Sequence, residues 1–91
     1  MRFYEACVNI AESIGALLSD EERLRFTECA FDNLWIYDET IGLWITNHLL
    51  TGNTYLKTAL IAIGCVSHHE MYWFLLGFTQ QYWRLKQAEL L

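Results

Sequence analysis

The stretch "SHHEMYWFLLGF", residues 67–78, places a short polar segment directly before a run of large apolar side chains. Ser67 and Glu70 have the spacing of a capping box, in which the serine hydroxyl accepts from the third helical amide and the glutamate reaches back. Two adjacent stripes at helical spacing follow, formed by Met71, Leu75, Phe78, Tyr82 and Leu85 and by Tyr72, Leu76, Thr79 and Trp83. The pattern predicts a long helix from His68 that is central in a bundle or buries its second side in another chain.

The two histidines of this stretch raise the alternative of a metal or small-ligand site. Adjacent residues on a helix point about 100° apart, so His68 and His69 are badly placed to bind one ion together. Helical zinc sites use pairs three or four residues apart, and His48 would have to join from another helix. The capping box is the favoured interpretation, and we predict no metal site. A helical bundle that binds a ligand or metal through His48, His68 and His69 remains the second hypothesis.

The first half of the chain carries two further helix signals. Residues 3–18 form an amphipathic pattern in which apolar side chains recur every three or four positions. "SDEE", residues 19–22, is another capping box, so a second helix is predicted to begin at Asp20. Three acidic side chains in its first turn also suit the positive end of the helix dipole.

The extent of this second helix is ambiguous. Helical spacing continues through Phe31 and Leu34 and resumes at Ile41, which favours a helix with a break near Asp38. Residues 34–45 also fit a β-hairpin, because Trp, Ile and Tyr favour strands and an acid-rich turn ends at Gly42. Helix is the preferred prediction.

The remaining sequence supports an all-α fold. "TGN", residues 51–53, predicts a helix stop, and a short helix follows that includes Leu56 and ends near Gly64. The chain has no proline and only five glycines, which favours helices joined by short turns over a sandwich or barrel. We predict one domain, residues 1–91, built as a compact bundle of four to five helices. The alternative is an α+β domain with the hairpin.

Charge is distributed very unevenly. The net charge is −5, which argues against direct binding to nucleic acid, since the phosphate backbone requires a basic surface. Most of the acids lie in residues 1–39, whereas residues 40–83 contain only Lys57 and Glu70 as charges. Much of that second stretch is therefore predicted to be buried in the fold or in an oligomer. Its apolar runs are too short to span a membrane, and the N-terminus does not resemble a secretory signal.

The acidic residues of the second helix are the first candidate binding surface. On a continuous helix, Glu21, Glu28, Asp32 and Glu39 would lie along one side together with Arg25. A negative surface of this kind suits a basic partner, including a nucleic-acid-binding protein whose phosphate site it would occupy. A merely solvated helix face is the alternative. The candidate residues are Glu21, Glu22, Glu28, Asp32, Asp38 and Glu39.

The aromatic residues are the second candidate surface. Four tryptophans are many for a small domain, and Trp and Tyr contribute strongly to interfaces when they lie in desolvated pockets. We predict Tyr72, Trp73 and Trp83 as residues that bind a partner or form a homodimer. The alternative is that they belong to the core.

No catalytic constellation is evident. Cys7, Cys29 and Cys65 each lie in an apolar helical context that silences a thiol, and they lack the CxxC spacing. An odd number of cysteines without this spacing favours buried thiols in a reducing compartment, so we predict a cytoplasmic location. We predict no cofactor. We therefore predict a non-enzymatic acidic regulator or inhibitor that docks on a larger protein. Small acidic inhibitors of phages and mobile elements share this general composition.

Overall fold

The computed structural model describes residues 2–50 and 54–90, and within them it contains helices and no strand. Its α-helices are α1 (Phe3–Leu17), α2 (Asp20–Glu28), α3 (Leu43–Leu50), α4 (Thr54–Ala62) and α5 (His68–Gln87). A 3₁₀ helix (Phe31–Tyr37) and a π turn (Asp38–Gly42) connect α2 to α3. The predicted all-α bundle is thus confirmed. The helix stop predicted at residues 51–53 lies outside the described residues.

Helix α5 lies at the centre of the bundle. It packs against α1, α2, α3 and the π turn. Its buried side chains include members of both predicted stripes together with Gln80, which lies in neither. They are Met71, Tyr72, Leu75, Leu76, Thr79, Gln80 and Tyr82. The second stripe is therefore buried against the chain's own helices. Among the described residues, no helix combines the length and apolarity that crossing a membrane requires.

The two predicted capping boxes differ. At the start of α2, the Ser19 hydroxyl accepts from the Glu22 amide at 3.1 Å, and the Ser19 amide donates to the Glu22 carboxylate at 3.1 Å. At the start of α5, the Ser67 hydroxyl accepts from the Glu70 amide at 3.2 Å, but within the described residues Glu70 does not reach back. The backbone explains the difference, because φ is −68° at Ser19 and −144° at Ser67, which turns the two amides in different directions.

The prediction of a long second helix is wrong. Helix α2 ends at Glu28, and both Cys29 and Ala30 adopt extended backbone before the 3₁₀ helix begins. The acids that would have continued along one side of α2, such as Asp32 and Glu39, therefore belong to a separate helical segment.

Side chains of α5 determine where α2 ends. The Gln80 amide donates to the carbonyl oxygens of Phe26 at 3.0 Å and Cys29 at 2.6 Å. The Arg84 guanidinium donates to the carbonyl oxygens of Thr27 at 2.7 Å and Cys29 at 3.1 Å. The last carbonyls of a helix have no partner within it, and α5 supplies the missing donors.

Residues 34–45 are helical throughout, so the hairpin alternative is wrong. The 3₁₀ helix passes into the π turn at Asp38, which has α-helical dihedral angles, and the turn passes into α3. The break predicted near Asp38 is thus a change of helical pitch. Leu34, Ile41 and Ile45 are buried along this segment, and their burial in the bundle favours helix over the local strand preference.

A close contact between α1 and α5 fixes the position of Trp83. Its ring lies against Gly15, so closely that a β-carbon added at this glycine would lie only 2.5 Å from Cε2 of the indole. The indole nitrogen donates to the Ala11 carbonyl at 2.8 Å, and the Arg23 guanidinium carbon lies 4.9 Å from the ring centroid. Trp83 is therefore an internal packing residue of the bundle.

The cysteines are free thiols in the structure. Cys7 is buried in α1, and this burial raises the pKa of its thiol to about 11. Burial also raises the pKa of the Cys65 thiol. Raised thiol pKa values keep these two groups protonated at neutral pH, in line with the predicted silent cysteines.

Candidate functional site

The 3₁₀ helix attaches to the bundle through one row of side chains. Because its repeat is about three residues, positions three apart lie in line, and Phe31, Leu34 and Tyr37 form one such row. Leu34 is fully buried, and the Tyr37 ring meets Phe26 edge-on at 5.1 Å between centroids. At the start of the row, the Phe31 ring lies 5.7 Å from the Trp73 ring of α5. This row holds the segment against α2 and α5.

A second row, which runs from the 3₁₀ helix to the first residue of the π turn, combines two carboxylates with an exposed indole. Asp32, Trp35 and Asp38 again lie three residues apart, with Trp35 60% exposed between the two acids. With a rise of about 2 Å per residue, the ends of this row lie about 12 Å apart. The Tyr72 hydroxyl of α5 donates to Asp38, and burial together with this bond raises the pKa of Tyr72. Tyr72 thus remains a neutral donor that anchors the row to α5.

An open groove lies beside this row, between the 3₁₀ helix and α5. Phe31, Asp32 and Trp73 line it, and its volume is about 400 Å³. The His69 ring lies 6.1 Å from the Trp73 ring, so aromatic groups continue toward the start of α5. The groove therefore combines aromatic walls with one carboxylate. We call Phe31, Asp32, Trp35, Asp38 and Trp73 the acidic–aromatic surface.

Most basic residues of the chain interact with groups outside this surface. Four of them have partners within the chain: Arg23 pairs with Asp20 at 2.8 Å, Arg25 with Glu21, Lys86 with Glu12 at 3.9 Å, and Arg84 donates to the carbonyls that end α2. Within residues 2–50 and 54–90, by contrast, the side chains of Glu28, Asp32 and Glu39 form no ion pair or hydrogen bond. The carboxylates of Glu28, Asp32 and Glu39 are thus exposed and have no ion-pair partner within the described residues.

The six predicted acidic residues do not act as one set. Glu21 pairs with Arg25 on α2. Glu22 is held by Ser19, whose backbone and side-chain hydrogen bonds lower the pKa of the Glu22 carboxyl. Both belong to α2, beyond the break at residues 29–30, and both have local structural roles. Asp32 and Asp38 lie within the acidic–aromatic surface, with Glu28 and Glu39 near them in sequence.

The three predicted aromatic residues also separate. Tyr72 is buried and Trp83 packs against α1, so both serve the fold of this chain. Trp73 is half-buried and lines the groove. Phe31 and Trp35 belong to the candidate site but were not predicted from the sequence. The three-residue spacing of Asp32, Trp35 and Asp38 was the available signal, but it has meaning only once the segment is known to be a 3₁₀ helix.

The three histidines occupy different environments. His48 stacks on Trp44 within α3, with 5.1 Å between ring centroids. His69 lies against Tyr72 and Trp73, whereas His68 is exposed at the first position of α5. The described part of the chain contains no group of three His, Cys, Asp or Glu side chains that could hold a metal ion. This geometry gives the histidine hypothesis no support.

Comparison with known proteins identifies no relative of this chain. No protein-family model, no curated protein and no solved structure matches the chain. The function of the surface is therefore inferred from its own side chains.

Proposed function

We propose that this chain is a non-enzymatic interaction module, a small regulator or inhibitor that docks on a basic protein partner through the acidic–aromatic surface. One observation carries the proposal: the exposed indole of Trp35 lies between Asp32 and Asp38, and neither carboxylate has an ion pair within the described residues. Exposed tryptophan is the residue type that contributes most to binding when a partner covers it.

The charge of the surface defines the class of partner. A negative patch attracts a positive one, which accelerates encounter and excludes partners of the same sign. Proteins that bind nucleic acid carry such positive patches, because they must neutralise phosphates. We therefore propose a nucleic-acid-binding protein as the partner and inhibition by occupation of its phosphate site as the mode of action, and we retain the cytoplasm as the location.

Charge reversal tests the proposal. Glu28→Lys with Asp32→Lys removes two unpaired acids in and beside the surface, whereas Glu5→Lys with Glu89→Lys makes the same change in net charge on exposed residues of other segments. We expect the first pair to abolish capture of basic proteins from a lysate and the control pair to retain it. Captured proteins should be released by rising salt concentration and by added duplex DNA.

Two results would contradict the proposed function. Equal capture by both double variants would show that the position of the acids does not matter. The Glu28 and Asp32 variant could instead have a lower melting temperature while each folded molecule captures as much partner as the native protein does. That result would assign these acids to the fold instead of to binding.

A homodimer is the second candidate. Tyr72 is buried and the half-buried Trp83 packs against Gly15 of α1, so we propose that the dimer forms through another exposed surface. Ile61, Ile63 and Val66 are exposed at the end of α4 and in the following turn, with Val66 85% exposed. Association through these side chains predicts a dimer mass by light scattering for the native protein and a monomer mass for Val66→Asp. A native monomer over a wide concentration range would remove this candidate.

A further inference from the structure

We infer that the groove formed by Phe31, Asp32 and Trp73 takes one arginine side chain of the partner, with the guanidinium stacked on the Trp73 ring and paired with the Asp32 carboxylate. This inference rests on the proposed function and specifies the group that the surface recognises. A groove of about 400 Å³ that is open to solvent admits such a side chain from a partner.

The walls of the groove supply the two interactions that a guanidinium makes best. Half of the Phe31 ring is exposed, at 53%, and it is tilted by 57° from the half-buried Trp73 ring. Aromatic ring faces attract a cation placed within about 6 Å of the centroid. Asp32 is exposed and, within the described residues, has no ion pair or hydrogen bond, so both carboxylate oxygens can accept from a guanidinium.

The same combination already occurs inside this chain, with its arginine present. The Arg23 guanidinium carbon lies 4.9 Å from the Trp83 ring centroid, and the same guanidinium pairs with Asp20 at 2.8 Å. Trp73 and Asp32 present the same two groups, an indole and an aspartate, and the described residues provide no cation for them. A partner's arginine would complete this second set.

Arginine fits the groove better than lysine for geometric reasons. A guanidinium is planar, stacks on aromatic rings and pairs with both oxygens of a carboxylate, and it is less strongly hydrated than an ammonium group. The other acids nearby are less available, since Asp38 accepts from Tyr72 and Glu21 pairs with Arg25. Asp32 is therefore the carboxylate that selects the arginine.

A peptide titration tests this inference. The probe is an acetylated, amidated Gly-Ser-Gly-Arg-Gly-Ser-Gly peptide, with matched peptides that carry citrulline or lysine in place of arginine. Binding is followed by the chemical shifts of the tryptophan indole N–H groups in the folded protein. We expect the arginine peptide to shift the Trp73 signal and to bind at least tenfold more tightly than the citrulline peptide, with lysine intermediate.

Two variants locate the interaction. Asp32→Asn should weaken the arginine peptide about tenfold, whereas Glu5→Gln, which removes the same charge from an exposed residue of α1, should leave its affinity within about twofold. Equal effects of the two variants, or shifts confined to another tryptophan, would overturn the inference. If Asp32→Asn leaves the affinity for the arginine peptide unchanged while charge reversal still abolishes capture of basic proteins, only this inference fails. If charge reversal also has no effect, the proposed function fails with it.

Discussion

Replacement of Gly15 by alanine should destabilise this protein, although the same change in a helix interior usually stabilises. Alanine is favoured over glycine by about 1 kcal/mol within a helix. In α1, however, the new methyl group would approach Cε2 of Trp83 to 2.5 Å and Cη2 to 2.9 Å. The indole must therefore move away from α1.

The contacts of Trp83 set the size of the effect. Inserting a methyl group into a packed contact costs about 1–3 kcal/mol. Displacement of the ring also weakens the hydrogen bond to Ala11, worth about 1 kcal/mol, and the cation–π contact with Arg23, worth about 0.5 kcal/mol. After the helix-propensity gain is subtracted, we expect a net loss of about 2.5 kcal/mol. In a domain of this size, that loss corresponds to a decrease in Tm of about 10–20 °C.

Urea unfolding followed by circular dichroism measures this loss directly. Gly77→Ala in α5 is a matched control, because its methyl group would meet only the edge of the half-exposed Phe31 ring, at 3.2 Å. We expect that variant to be as stable as the native protein or slightly more stable. In a Trp83→Ala background, Gly15→Ala should become stabilising, since only the propensity gain of about 1 kcal/mol remains.

Two results would refute the reasoning. A Gly15→Ala protein as stable as the native one would mean that the indole can move without loss. A destabilisation that persists in the Trp83→Ala background would place its cause elsewhere in α1. An unchanged slope of the unfolding free energy with urea is needed for either comparison.

Two further predictions concern the tyrosines and the caps. Burial and the hydrogen bond to Glu12 raise the pKa of Tyr82 from 10.0 to about 12. The folded state therefore holds the phenol proton more tightly than the unfolded state, and the stability that this contributes is fully present below pH 10 and is lost as the pH rises through 12. A Tyr82→Phe variant should lose less stability than the native protein between pH 9 and 12 in parallel urea titrations. Ser19→Ala should cost about 1 kcal/mol, and Ser67→Ala less, because only Ser19 takes part in two reciprocal bonds. Equal losses for the two serines in urea unfolding would contradict this difference.

Local sequence signals predict the ends of α1 and the starts of α2 and α5 well. Apolar spacing places α1 within residues 3–18, and the Ser19 capping box marks the first residue of α2. These features depend on groups a few residues apart, which a single sequence displays directly.

The end of α2 could not be predicted in the same way. The donors that bind its last carbonyls come from Gln80 and Arg84, more than fifty residues later in the sequence. Nothing in the sequence around Cys29 and Ala30 indicates that α5 will pass there. Local preferences alone favour a continuous helix, and tertiary contacts override them.

The acidic–aromatic surface is predictable only in part for the same reason. Charge and aromatic content indicate Asp32, Asp38 and Trp73, while Phe31 and Trp35 fit helix spacing or a strand equally well. The 3₁₀ helix that aligns Asp32, Trp35 and Asp38 exists because Leu34 and Phe31 pack on the bundle. Its three-residue repeat is a product of the fold.

The hydrogen bonds from α5 to the last carbonyls of α2 also couple the conformation of residues 26–30 to the folded state of α5. Gln80 and Arg84 hold the backbone at Cys29 and Ala30 in an extended conformation, although the local sequence favours continued helix. Local opening of this part of α5 would remove these hydrogen bonds and allow α2 to extend. The spacing between the acids of α2 and those of the 3₁₀ helix would then change. The arrangement of charge that we propose for binding is therefore a property of the whole folded unit, and a peptide of residues 20–40 alone should not reproduce it.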